Sequence, residues 1–271
     1  MPDHAPAARG GFPPLLAPDE PSPFEVLDGA AAVLFVCDHA SRRIPRSLDG
    51  LGIAGEDRTR HIAWDIGAAE VARTLAARFA ATAVLANYSR LVVDLNRAPT
   101  DPTFIPVISD GTVIPGNKDL SPDAVANRVE TLFRPYHDAL AGAMTGLKRR
   151  GPPPALVSVH SFTPVYKNET RPWHVGVLWD RDGRMALPFM EGLRARPGIC
   201  VGDNEPYSGR DHYAYTVDRH ARHHGLPDLS IEIRHDLIDK PTGVAEWAAV
   251  VGDVLAPILA DPDIHHVADP A

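Results

Sequence analysis

The chain carries only two cysteines, Cys37 and Cys200, in 271 residues. Neither sits in a Cys-x-x-Cys pair, so the sequence holds no disulfide framework. Cationic clusters are scarce too: Lys148–Arg150 is the one dense run, and the formal net charge is -8. That balance disfavours nucleic-acid binding. No apolar run approaches the ~20 residues that a membrane-spanning helix needs. The start, Met1-Pro-Asp-His-Ala-Pro, lacks the basic segment and long apolar stretch of a secretory signal. The expectation is a soluble cytoplasmic protein with neither a membrane nor a nucleic acid as partner. Some loop motifs are missing as well. Without Gly-x-x-x-x-Gly-Lys-Ser/Thr, and with the Gly-x-Gly-x-x-Gly match at Gly50–Gly55 following no expected strand, nucleotide binding has little support. Without a Gly-x-Ser-x-Gly elbow, a serine triad is poorly supported.

What is present is enough chain for a substantial core in one α/β domain. Residues 1–22, rich in Pro, Ala and Asp, read as an irregular arm; residues 23–271 read as the domain. Apolar strands are expected at Ala32–Cys37, Ala83–Ala86, Leu91–Leu95, Ala155–His160, Val175–Trp179, Ile199–Val201 and Leu229–Ile233. Helices are expected over Gly67–Ala81, Asp123–Lys148, Asp182–Arg196, Thr216–His224 and Thr242–Leu259. In Gly67–Ala81, for instance, Ala68, Val71, Leu75, Ala76 and Phe79 recur at helical spacing. Between the elements, residues 98–122 form a long proline-rich loop of the kind that often carries function. Strands separated by helices predict a mostly parallel, mixed sheet with helices on both faces. Such sheets bind ligands at the carboxyl ends of their strands, where His39, Asn96, Arg97 and His160 fall.

Four of the expected strands carry or deliver ionisable groups that a core strand normally excludes. This points to one polar site, with a hydrolytic metal centre as the leading reading. His39 follows the first strand and suits a metal as a neutral imidazole, or it caps the next turn. Asp65 precedes a helix, where a carboxylate serves either as a ligand or as an N-cap. His160 runs from a buried strand into a turn. Asn96 and Arg97 suit a clamp on a carboxylate, because a guanidinium binds one in a planar, two-pronged way. Arg90 either joins that clamp or bridges to Asp94. Glu232 alternates with Ile231 and Ile233 and so faces away from their apolar layer. Partial burial would raise its pKa and suit it to proton transfer; the alternative is a solvent-facing edge glutamate. Among the 13 histidines, His220 and His224 have ligand-like i, i+4 spacing without His-Glu-x-x-His, and read as a polar helix face. His137 carries no distinct argument. Cys37 reads as a small apolar group inside a strand.

Taken in order, Cys37–Pro45, His61–Gly67, Tyr88–Arg97, Val159–Pro164, Asn204–Tyr207, Asp211–Thr216 and Gly225–Ile238 resemble the N-formylglutamate amidohydrolase family. The resemblance runs from Val33 to Ile238. That family is similar in fold to zinc-dependent carboxypeptidases. The resemblance implies hydrolysis of the amide of an N-acyl amino acid such as N-formyl-L-glutamate, in the setting of histidine degradation. It implies Zn2+ held by His39, Asp65 and His160, with Glu232 as general base and Arg90, Asn96 and Arg97 on the substrate carboxylate. The carboxypeptidase pattern His-x-x-Glu is absent, since position 42 is Arg, and Asp65 takes the vacant role. Two other readings use the same residues. One is a small-peptide metallo-carboxypeptidase or amidase; the other is a degenerate member that binds acidic metabolites without turning them over.

Overall fold

The computed structural model describes residues 13–211 and 214–268. Seven strands form its main sheet: β1 (Phe24–Leu27), β2 (Val33–Cys37), β3 (Thr82–Ala86), β4 (Ala155–Phe162), β5 (Val175–Leu178), β6 (Val201–Asp203) and β7 (Asp228–Arg234). Their spatial order is β1-β3-β2-β4-β7-β5-β6. β1 on β3 and β7 on β5 are antiparallel; the other four neighbours are parallel. The expected mixed, mostly parallel sheet is therefore observed. The central strands read as nearly unbroken apolar runs because both faces are covered. All eight residues of β4 are buried.

Side-chain alternation divides the sheet into two unlike faces. On one, Phe35, Cys37, Val157, Val159, Ile231 and Ile233 pack against α1 (Ala68–Phe79), α4 (Ala186–Arg194) and α6 (Pro241–Ala260). On the other, Leu34, Val36 and Leu156 meet the buried 88–95 segment and helices α3 (Arg134–Arg150) and α5 (Tyr215–His220). Gly67 starts α1 at φ 79°, and a Cβ there would lie 2.1 Å from the Ile238 carbonyl oxygen. Only glycine meets both conditions. By length and composition α6 could span a bilayer. Here Val244, Trp247, Val251 and Leu255 seat it in the core.

Several elements differ from expectation. Leu91–Leu95 is buried but forms turns, not a strand. Several of its polar backbone groups find partners without a ladder. The Leu91 carbonyl accepts from Asn117, Val92 from Arg128 and Leu95 from His137, while the Asp94 N–H donates to Phe104. The strand expected at Ile199–Val201 lies two residues later, and β1 was not anticipated. β4 continues to Phe162, so His160 sits inside the strand. The long helix comes as α2 (Pro122–Arg128), a wide π turn over Val129–Phe133, and α3. Pro135 explains the break, because it cannot donate to the preceding turn and its ring crowds it. Of the expected arm, residues 1–12 lie outside the described residues. Residues 13–22 lie on the body: Leu15 is buried, and Tyr88 O–H donates to the Pro21 carbonyl.

Candidate active site

The polar groups gather on the α3/α5 side of the sheet, at the carboxyl ends of β2 and β4. Alternation puts Asp38 in phase with Leu34 and Val36, and His160 in phase with Leu156 and Ser158. Glu232 stands beside His160 in the β4–β7 register. Gly176 of β5 is its neighbour on the other side. A Cβ at Gly176 would come within 2.0 Å of the Glu205 carbonyl oxygen, so glycine lets the 205 segment close over that edge. A cavity of about 390 Å³ opens there, lined by His39, Asp65, Arg90, Asn96, Arg97, His160, Tyr207 and Glu232 among others. Two short hairpins flank it, Ile108–Ser109 with Thr112–Val113 and Val165–Tyr166 with Glu169–Thr170.

His39, Asp65 and His160 converge, each offering one ligand-type atom, all within 4.8 Å of one another. Both Nδ1 atoms approach the same Asp65 oxygen, His160 at 2.7 Å and His39 at 3.3 Å. Asp65 does not cap α1, whose N-cap makes no side-chain bond. The far ring nitrogens are also held. His39 Nε2 lies 2.8 Å from Asp94 Oδ1. His160 Nε2 lies 2.9 Å from Ser158 Oγ and 3.6 Å from Asp38 Oδ2. Outer partners of this kind orient metal-ligating imidazoles.

The electrostatics follow from burial against pairing. Burial opposes ionisation of Asp65, but His39 and His160 outweigh it and hold its carboxyl well below the usual range. Burial likewise opposes charge on His160, yet Asp65, Glu232 and Asp38 raise it to about 9. For His39, burial and Arg90 act downward, and Asp94 and Asp65 prevail, so its pKa is raised. Glu232 is different. Burial pushes its carboxyl up to about 7 against the pull of His160, and Oε2 is buried without a hydrogen-bond partner.

Arg90 donates from Nε and Nη2 to Asp94 Oδ2 at 3.0 and 2.7 Å. Its Nη1 lies 3.6 Å from Asp65 Oδ1. The bridge to Asp94 weighed in the sequence is thus present, and Arg90 also lines the cavity. Asn96 Oδ1 accepts from the Thr216 N–H, and Arg97 Nη1 donates to the Asn96 carbonyl. Sequence reasoning overlooked the supporting groups. Tyr136 O–H and Thr216 Oγ1 both donate to Asp38 Oδ1. His220 does not belong to a polar helix face: it is buried against His137. The phase of Asp38 along β2 was a usable signal; for the His137–His220 contact, 83 residues apart in the chain, there was none.

Residues 31–239 match the family model for N-formylglutamate amidohydrolase. The chain belongs to that family. A gene product of Agrobacterium tumefaciens with a known crystal structure is 35% identical, with a TM-score of 0.88, over 92% of this chain and 99% of its own. The crystal structure of an N-formylglutamate amidohydrolase from Ralstonia eutropha is 19% identical, with a TM-score of 0.61, over 88% and 97% of the two chains. That second likeness bears on fold alone. No curated protein sequence matches the chain.

Proposed function

We propose that this family member is a metal-dependent amidohydrolase that cleaves N-acyl amino acids, with N-formyl-L-glutamate as the reference substrate. The observation that carries the reading is Glu232. A buried carboxylate with an unpartnered oxygen and a pKa near neutrality, beside His39, Asp65 and His160, is equipped to move a proton.

The donor set fits a metal ion. Two imidazole nitrogens and one carboxylate oxygen are a ligand combination found in catalytic zinc sites. His39 has a carboxylate at each ring nitrogen, so Asp94 can hold Nε2 while Nδ1 faces Asp65. A cation between His39, Asp65 and His160 would take the place of the inward protons. Zinc bound there supplies Lewis acidity toward the amide carbonyl and a lowered pKa for water.

The chain's own residues do the remainder. Asn96 and Arg97, with Arg90 through Nη1, hold the α-carboxylate and fix the scissile amide over Glu232. Glu232 takes a proton from the attacking water as oxygen adds to the carbonyl carbon. It returns that proton to the amine nitrogen as the C–N bond breaks, giving formate and the free amino acid. Asp94 and Ser158 keep the two imidazoles turned inward. Cys37 and Cys200 are both unpaired thiols, one of them exposed, which favours a reducing, cytoplasmic setting.

A short-peptide substrate is the second reading. A cavity of about 390 Å³ lies in the range that holds drug-sized ligands, which is larger than a formyl amino acid requires. Amine release from N-formyl-, N-acetyl- and glycyl-L-glutamate separates the two. Faster turnover of the formyl compound supports the first; faster turnover of the dipeptide replaces it with the second.

A further inference from the structure

Beneath the carboxylate clamp lies a second polar unit that takes no part in the proton transfer above. His137 on α3 and His220 on α5 are both buried, at 2% and 5% exposure. Their rings are nearly coplanar, with 10° between planes, and His137 Nδ1 lies 2.9 Å from His220 Nε2. His137 Nε2 lies 2.9 Å from the carbonyl oxygen of Leu95. Phe133 and Tyr215 pack on the His137 ring.

The chemistry of these partners assigns the protons. A carbonyl only accepts, so His137 Nε2 carries its proton toward Leu95. A neutral ring then leaves Nδ1 bare, and it accepts from His220 Nε2–H. A second proton on His137 would set two N–H groups against each other, so the bond requires a neutral His137 ring, while His220 donates through Nε2–H. Burial and neighbouring positive charge depress both, to about 3 for His137 and about 4 for His220.

Leu95 immediately precedes Asn96 and Arg97. It belongs to a segment with no ladder to hold it, so its place depends on such side-chain bonds. Thr216, one helical turn before His220, donates its N–H to Asn96 Oδ1 at 3.0 Å. α5 therefore grips the clamp twice, once at the Asn96 side chain and once through the two histidines at the Leu95 backbone.

We propose that His137 is a positioning residue for substrate binding: it sets the height of the Asn96–Arg97 clamp through the Leu95 carbonyl, and His220 fixes its tautomer. This rests on the clamp assignment above, and it adds the device that holds the clamp.

The test compares wild type, His137→Leu, His137→Gln and His220→Leu. Gln keeps an N–H donor for Leu95 and an oxygen acceptor for His220; Leu keeps neither. The first readout is the preference for N-formyl-L-glutamate over its α-carboxamide, as a ratio of kcat/KM. The ratio should fall on the order of 10-fold in His137→Leu through a raised KM, the size of effect expected from a small misplacement. It should recover in His137→Gln. His220→Leu, which leaves the Leu95 bond available, should lie between them and covers the case in which His137→Leu does not fold. The second readout needs no catalysis: amide hydrogen exchange at Thr216, whose N–H bonds Asn96. It should quicken in His137→Leu and return toward wild type in His137→Gln. An unchanged ratio with unchanged Thr216 exchange overturns the proposal, as does a loss that Gln fails to restore. If wild type hydrolyses neither compound, the substrate reading fails, and Thr216 exchange still decides the positioning role.

Discussion

The two faces of the sheet differ far more than their shared strands suggest. Within β4, Val157 and Val159 enter an apolar layer with α1, α4 and α6, while Ser158 and His160 enter a polar layer one side chain away. β7 repeats the pattern, with Ile231 and Ile233 against Glu232. The dry face uses size and shape; the wet face, itself apolar at Leu34, Val36 and Leu156, adds protons and charge at its strand ends. The same strand therefore anchors the fold and positions the polar groups of the candidate site, and a change of one position moves from one layer to the other.

Breaking the wet face should cost activity, with little loss of fold. The largest effect is expected for His160→Ala, which should lose bound zinc and bring formate release to background. Retained zinc with near-normal turnover in that variant would remove His160 from the ligand set. Glu232→Gln should keep zinc and slow turnover on the order of 10²–10⁴-fold, the range for losing a general base. A mere few-fold decline would assign the proton transfer elsewhere. Arg97→Ala should weaken substrates with a free α-carboxylate by about 10–100-fold, as expected for a lost charged hydrogen bond. Equal weakening of α-esters would deny the clamp role.

Breaking the dry face should do the reverse. Leu255 on α6 is fully buried, and Leu255→Ala should lower the unfolding free energy by about 2–5 kcal/mol. Turnover per folded molecule should stay at the wild-type level. A denaturation curve paired with active-site titration checks both halves; lost turnover without lost stability would show that the faces are coupled.

A further effect is in pH. His137 and His220 titrate near 6.5 when unfolded and at about 3 and about 4 when folded. Burial depresses both. Cationic neighbours add to it, His220 and Arg219 for the first, Arg219 and His224 for the second. Between those values the unfolded chain binds more protons. Their stabilisation is therefore complete above pH 6.5 and is lost as pH falls toward 4 and 3. A His137→Gln/His220→Gln variant should show a shallower acid-side decline than wild type; parallel curves would mean the pair is not held neutral.

These contrasts also separate what was legible in the sequence from what was not. Period-two alternation around Glu232 was enough to turn it away from the apolar layer, because a strand leaves a side chain only two directions. The expected sheet type and most helices followed from apolar spacing. Leu91–Leu95 misled for a physical reason. A buried apolar run looks the same whether its carbonyls meet a neighbouring strand or Asn117, Arg128 and His137. Asp65 had two local uses, cap and ligand; it does not cap α1, and its carboxylate meets His160, 95 residues away in the chain. The Asp38–Tyr136–Thr216 network and the His137–His220 pair are likewise products of tertiary contact, which no local spacing encodes.

Formate release from N-formyl-L-glutamate, measured as purified, after chelation and after zinc return, tests the central claim most directly. Release should disappear on chelation and return with zinc. Release that survives complete metal removal, or no release from zinc-loaded protein, would contradict that claim.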